Sequence, residues 1–191
     1  MDISTGNKRQ VVNRSRLWHP ALIALLLCVL ALGVASPFVA AALNAQDPDI
    51  RWYLDDPSSK EYYLEDAGDL RGLATLVNGE AVDDSGKAIQ AVSFEGVTIR
   101  LDNPVSLQNV AFEPIGTEDT PFAGTFDGAS KNISGLMIEG CLNNVGLFGY
   151  CSKGSRLENI AVGSFPDAGV NVTADTEHLS NIGTVVGYSA G

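Results

Sequence analysis

Over residues 94–191 the apolar residues recur at strand spacing, and glycine closes nearly every gap between them; this pattern constrains the fold most. Val97, Ile99 and Leu101 alternate with Thr98 and Arg100, as a half-buried strand requires. Leu136 and Ile138 flank Met137, Ile160 and Val162 flank Ala161, and Val170 and Val172 flank Asn171. Residues 96–191 hold 14 glycines in 96 positions, about twice the usual ~7%. Such short runs cannot sustain helical periodicity, so the expected class is mostly β.

Two self-similarities run through this stretch. Ile133-Ser134-Gly135-Leu136-Met137-Ile138 matches Leu157-Glu158-Asn159-Ile160-Ala161-Val162 at an offset of 24, and Leu147-Phe148-Gly149-Tyr150 matches Val185-Val186-Gly187-Tyr188 at an offset of 38. Unequal offsets suit a solenoid, in which insertions leave the stack as loops from one corner.

Residues 43–93 differ. Arg51-Trp52-Tyr53-Leu54 and Glu61-Tyr62-Tyr63-Leu64 are rich in strand formers around the turn cluster Asp55-Asp56-Pro57-Ser58-Ser59, which predicts a β-hairpin over 47–66. Its aromatic residues serve either as packing for a capping element or as a platform for sugars. Ala67, Leu70, Leu73, Ala74 and Val77 then share one helical face, with Asp66 placed as N-cap, Asp69 in the first turn and Asn78-Gly79 as a left-handed exit. Residues 81–90 read as a polar loop.

The first 42 residues read as a secretory signal peptide. Lys8, Arg9, Arg14 and Arg16 form a basic start, residues 21–34 carry no charge, and Ser36-Pro37 precedes the small residues of Val39-Ala40-Ala41-Ala42. The alternative is a retained anchor, because the 23 residues of 21–43 match the ~20 a spanning helix needs. In that case the membrane is a partner through this segment alone. Of the 12 basic and 23 acidic residues, four and one lie in the leader, which leaves 8 against 22 and a net charge of −14 on residues 43–191. An acidic surface of this kind repels phosphate backbones and excludes nucleic acid as a partner. Cys141 and Cys151 follow the leader, and export would permit them to pair.

Phe122-Ala123-Gly124-Thr125-Phe126-Asp127-Gly128, Asn132-Ile133-Ser134-Gly135-Leu136, Gly146-Leu147-Phe148-Gly149-Tyr150 and Leu157-Glu158-Asn159-Ile160 together resemble the GLUG-repeat proteins of bacterial surfaces. Those repeats occur in adhesin-like chains and beside some immunoglobulin A peptidase domains. The likeness covers residues 61–191. It implies a right-handed parallel β-helix over 94–191, capped by the helix and hairpin of 43–93. Gly124, Gly128, Gly149 and Gly187 would allow corners of positive φ or close backbone approach, and Leu147, Phe148, Val185 and Val186 would stack inward. Asn159 would hydrogen-bond the turn of a neighbouring coil. The chain stops at Gly191, just after Gly187-Tyr188-Ser189-Ala190, with one full unit and part of another, so a fragment of a longer repeat protein is expected.

Catalytic chemistry finds little support. A polysaccharide-processing β-helix needs clustered carboxylates, for which Asp119, Asp127 and Glu139 are the candidates, with Lys131 and Arg156 nearby. Asp127 precedes a glycine, as turn aspartates do. His178 lies in the polar stretch Asp175-Thr176-Glu177, and no metal or cofactor motif is present. Asp55-Asp56, Asp83-Asp84 and Asp175/Glu177 are acidic clusters without calcium-loop spacing. Asn132-Ile133-Ser134 and Asn171-Val172-Thr173 match glycosylation sequons. The expected function is therefore a non-catalytic surface or adhesive module, with a host or matrix protein or a glycan as partner. An accessory region of a secreted peptidase and a carbohydrate-active β-helix are the alternatives.

Overall fold

The computed structural model describes residues 46–140, 143–163 and 181–191, and the backbone of 171–174. The leader, Cys28, Cys141, Val170, Asp175, Glu177 and His178 lie outside the described residues, and so does any pairing of Cys141. Among the described residues no helix is long and apolar enough to cross a membrane.

The class is mostly β, with few helices. Helix α1 is a single turn at Arg51–Leu54, and strand β1 (Glu61–Leu64) precedes α2 (Ala67–Asn78). The remaining strands are β2 (Thr98–Leu101), β3 (Val105–Ser106), β4 (Thr125–Asp127), β5 (Asn132–Ser134), β6 (Met137–Gly140), β7 (Asn144–Val145), β8 (Phe148–Cys151), β9 (Arg156–Glu158), β10 (Ala161–Val162), β11 (Asn171–Ala174), β12 (Asn181–Ile182) and β13 (Val186–Ser189). Every pairing between these strands is parallel. Four strands form one sheet in the order β1-β2-β4-β9, three form β10-β5-β3, and β11-β6, β12-β7 and β13-β8 are pairs.

Helix α2 forms where its sequence directs it. Asp66 caps the start by accepting the Asp69 amide at 3.1 Å, and Gly79 closes the end at φ 77°. A second property of α2 comes from glycines on its other side. A Cβ at Gly72 would stand 1.9 Å from the Asp49 carbonyl oxygen, and one at Gly68 would stand 2.9 Å from that of Asp47. Two glycines one helical turn apart thus leave a groove in which the segment before α1 lies against the helix, tied by Asp49 N–H to the Gly68 carbonyl at 2.9 Å. Both sides of α2 are covered as a result, and nine of its residues are buried.

The hairpin over 47–66 does not form. Arg51–Leu54 is helical, and β1 pairs with β2, 37 residues on, in the register Tyr62↔Ile99. The aromatic rings account for the difference. Trp52, Tyr53, Tyr62 and Phe94 pack mutually with centroids 5.2–6.2 Å apart, and the helical turn lets Trp52 donate from its indole to the Asp49 carbonyl at 2.8 Å. Only Tyr63 is left strongly exposed, at 50%. Trp52, Tyr53 and Tyr62 thus pack against one another and Phe94, with Trp52 and Tyr53 half-buried.

The self-similarity at 38 is the structural register: Val186 lies beside Phe148 and Tyr188 beside Tyr150. The one at 24 is not. Leu157 lies beside Phe126, and Ile133 beside Val162. Strands β4 and β5 are joined by residues 128–131, whereas β9 and β10 are joined by 159–160 alone, so the segments slip relative to one another outside the strands.

Inward residues stack in columns across the sheets. Tyr62, Ile99, Phe126 and Leu157 form one, and Val105, Ile133 and Val162 another. Phe126, Ile133, Leu147 and Phe148 are wholly buried, each contributing about 1.5–3 kcal/mol relative to exposure. Val185 and Val186 are half-buried. Of the two roles expected for Gly124, Gly128, Gly149 and Gly187, close approach is the one observed, since none of the four has positive φ. A Cβ on Gly149 would lie 2.5 Å from the Gly116 carbonyl oxygen. The left-handed turn between β5 and β6 is made instead by Gly135, at φ 65°.

Candidate functional site

Alternation along β1, β2, β4 and β9 turns two rows of polar side chains outward. Glu61, Thr98, Thr125 and Arg156 form one row, and Tyr63, Arg100, Asp127 and Glu158 the other. With parallel strands ~4.8 Å apart the face is roughly 14 Å wide. It sets donors and acceptors side by side, with Tyr63 half exposed and Asp127 buried.

Asp127 is its electrostatic centre. Oδ1 accepts from the Asn159 amide at 2.9 Å and from the Ala129 N–H at 2.8 Å, while Oδ2 faces Arg100 Nη1 at 3.2 Å. The Asn159 hydrogen bond, then the Ala129 N–H and then the Arg100 charge hold the carboxyl below its ordinary range, against the opposing effect of burial. Asp127 is therefore an acceptor at neutral pH and holds no proton to donate. Glu158 is paired with Arg156, Nη2 to Oε2 at 2.7 Å.

Asn159 performs the role expected of it, bonding a turn residue of the adjacent strand. It does so at φ 53°, a left-handed geometry that asparagine tolerates better than most residues. An amide pair, Asn181 Nδ2 to Asn144 Oδ1 at 2.8 Å, ties the register partners of β12 and β7. Nothing in the sequence pattern singled that pair out; its signal is an Asn-Val dipeptide matching Asn-Ile 37 residues later.

The carboxylates proposed for catalysis lie on separate elements. Glu139 is on β6, in the sheet with β11. Asp119 lies in the loop before β4, beside a depression of about 460 Å³ that Asn78, Glu80, Glu113, Glu118 and Asn144 also line. Lys131 precedes β5, and Arg156 stands on the same face as Asp127. Among the described residues no three His, Cys, Asp or Glu side chains are arranged to hold a metal ion. Asp56 and Asp83 instead fold their own turns: Asp56 accepts from the Ser58 hydroxyl at 2.7 Å and Asp83 from the Ser85 and Lys87 amides at 2.9 and 3.0 Å. Cys151 is a buried free thiol, with burial pushing its pKa up to about 11. Asn132 of the first sequon stands on β5 between β3 and β10.

Two side chains of α2 do work that the sequence did not reveal. Arg71 donates to the carbonyls of Ala111 at 2.7 Å and Val110 at 3.1 Å, with its guanidinium 5.6 Å from the Phe112 ring centroid. Asn78 donates to the Pro114 carbonyl at 3.1 Å and accepts the Gly116 N–H at 2.9 Å. The helix thus satisfies backbone groups over 110–116 that a strand would otherwise have to pair. Comparison of the chain with protein-family models, with curated proteins and with solved structures gives no match to any of them.

Proposed function

We propose that the chain is an exported, non-catalytic surface module, built as a right-handed parallel β-helix that resembles the GLUG-repeat proteins and is capped by α2. The outward face of the β1-β2-β4-β9 sheet is its binding surface for a host or matrix protein or a glycan. The observation that carries the reading is the register. The chain returns in parallel to the same sheets at intervals of 27–38 residues, with apolar columns inside and a polar ladder outside. Parallel crossovers are right-handed in the great majority of proteins. The Arg71 and Asn78 contacts suit a helix that closes a stack. An adhesive role fits a face with an exposed tyrosine and charges of both signs better than it fits catalysis, because Asp127 is held ionised by Asn159, Ala129 and Arg100 and the carboxylate beside it, Glu158, is paired with Arg156. Export rests on the leader.

The test has two parts. Intact cells producing the chain should lose it to added protease. The purified chain should be retained on an array of matrix proteins and polysaccharides, weakly or not at all once Tyr63 and Arg100 are both changed to Ala, without shortening any polysaccharide. Release of reducing ends, or retention unaffected by the double substitution, would refute the binding-face reading.

A further inference from the structure

Among the described residues, strands β9 to β13 are each outermost in their sheets. Their inward side chains are correspondingly less covered than those beside them. Phe126, Ile133, Val145 and Phe148 are at most 1% exposed. Their register partners Leu157, Val162 and Val186 are half-buried, and Ile182 is 57% exposed. Tyr188 stacks on Tyr150 at 4.6 Å and is itself 40% exposed. Edges of this kind are usually guarded by charge, proline or bulges, yet β10, β11, β12 and β13 carry no charged residue and no proline.

The charges of β9 indicate what covers this edge. Arg156 N–H donates to Gly124, and the Glu158 carbonyl accepts from Gly128, so residues 156 and 158 turn their backbone groups toward β4. Alternation then turns the N–H and C=O of Leu157 to the open side. Arg156-Leu157-Glu158 is self-complementary under reversal. If a second copy lies antiparallel across a two-fold axis at Leu157, the two leucines exchange both backbone hydrogen bonds. Each Arg156 then faces the other copy's Glu158 on the outer face, and Leu157 meets Leu157 at the end of the apolar column.

We propose that this edge is an isologous interface, through which two copies of the chain join end to end by antiparallel pairing of β9. Its geometry requires two symmetry-related Arg156–Glu158 contacts between the copies, replacing a contact made within each chain.

The experiment compares the sedimentation of the full chain with that of Arg156→Glu and of the exchanged pair Arg156→Glu/Glu158→Arg, with circular dichroism as a check on folding. The wild type should dimerise. Arg156→Glu opposes like charges twice and should weaken the dimer about tenfold, and the exchanged pair should restore it. Leu157→Pro removes the outward N–H while leaving the bonds to β4, and should also yield monomer. A wild-type chain that remains monomeric would overturn the proposal. So would association that persists in Arg156→Glu, which is the result expected of contacts through the apolar segment 21–43.

Discussion

Asn159 donates its side-chain amide to Asp127 at 2.9 Å across 32 residues of sequence. The two residues close consecutive strands of one sheet, and the bond ties the corner after β9 to the corner after β4. Asn159 stands there in left-handed backbone at φ 53°, so one residue supplies both the turn and the tie.

Replacing Asn159 by glycine should remove the tie alone, whereas alanine should remove it and add backbone strain. We expect a loss of about 1–2 kcal/mol for Asn159→Gly and about 1–2 kcal/mol more for Asn159→Ala. Urea denaturation of both variants checks the order. Equal losses would mean that the left-handed turn costs nothing.

The same contact makes part of the stability depend on acid. The folded pKa of Asp127 is depressed, so its contribution is complete above the unfolded carboxylate value near ~3.9. It is lost as pH falls through the lower folded value. Asp127→Asn should therefore be less stable than wild type at pH 7, with the difference narrowing below about pH 4. Thermal melts from pH 2.5 to 7 would show this; a difference that widens in acid would contradict the assignment.

Gly149 tests close approach against backbone freedom. Gly149→Ala sets a Cβ 2.5 Å from a backbone oxygen and should cost about 3 kcal/mol or more, or prevent folding. Gly154 has φ 90° and open space around it, so Gly154→Ala should cost only about 1–2 kcal/mol. The two melting temperatures should separate accordingly.

Arg71 should matter more than an ordinary arginine. Burial lowers its pKa, and its removal leaves the carbonyls of Val110 and Ala111 without their donor. Arg71→Met, which keeps much of the volume, should cost about 2–4 kcal/mol. Hydrogen exchange should then increase over residues 110–116. Unchanged exchange there would mean that the helix is held by its apolar face alone.

Cys151 should be silent toward alkylation while the chain is folded. Its thiol is buried, with a pKa of about 11, so little thiolate forms at pH 8. Iodoacetamide followed by peptide mapping should label it only after denaturant is added.

How much of this was legible varied by element. The helix could be read to its last residue, because Asp66, the apolar face and Gly79 act within a few residues of one another. The inward alternation of Ile99 and Leu101 was equally local. The hairpin failed because strand propensity at Trp52 and Tyr53 yields to a ring cluster completed by Phe94, far along the chain. The similarity at 24 failed because every corner of such a sheet uses the same few residues, whereas register depends on which backbones meet. The Asp127 site was half visible. Its turn chemistry could be read from Phe126-Asp127-Gly128, but Arg100 joins it only through the β2-β4 register.

By itself the sequence determined the β class of residues 94–191, the position and caps of α2, the leader pattern, and a strongly acidic composition. These follow from composition and from interactions a few residues apart. The tertiary structure decided that β1 joins β2, that Gly68 and Gly72 admit the segment at 47–50, that Arg71 and Asn78 hold residues 110–116, and that Asp127 remains ionised. Each of these depends on atoms brought together across 19 to 40 residues, and only the folded backbone sets those distances.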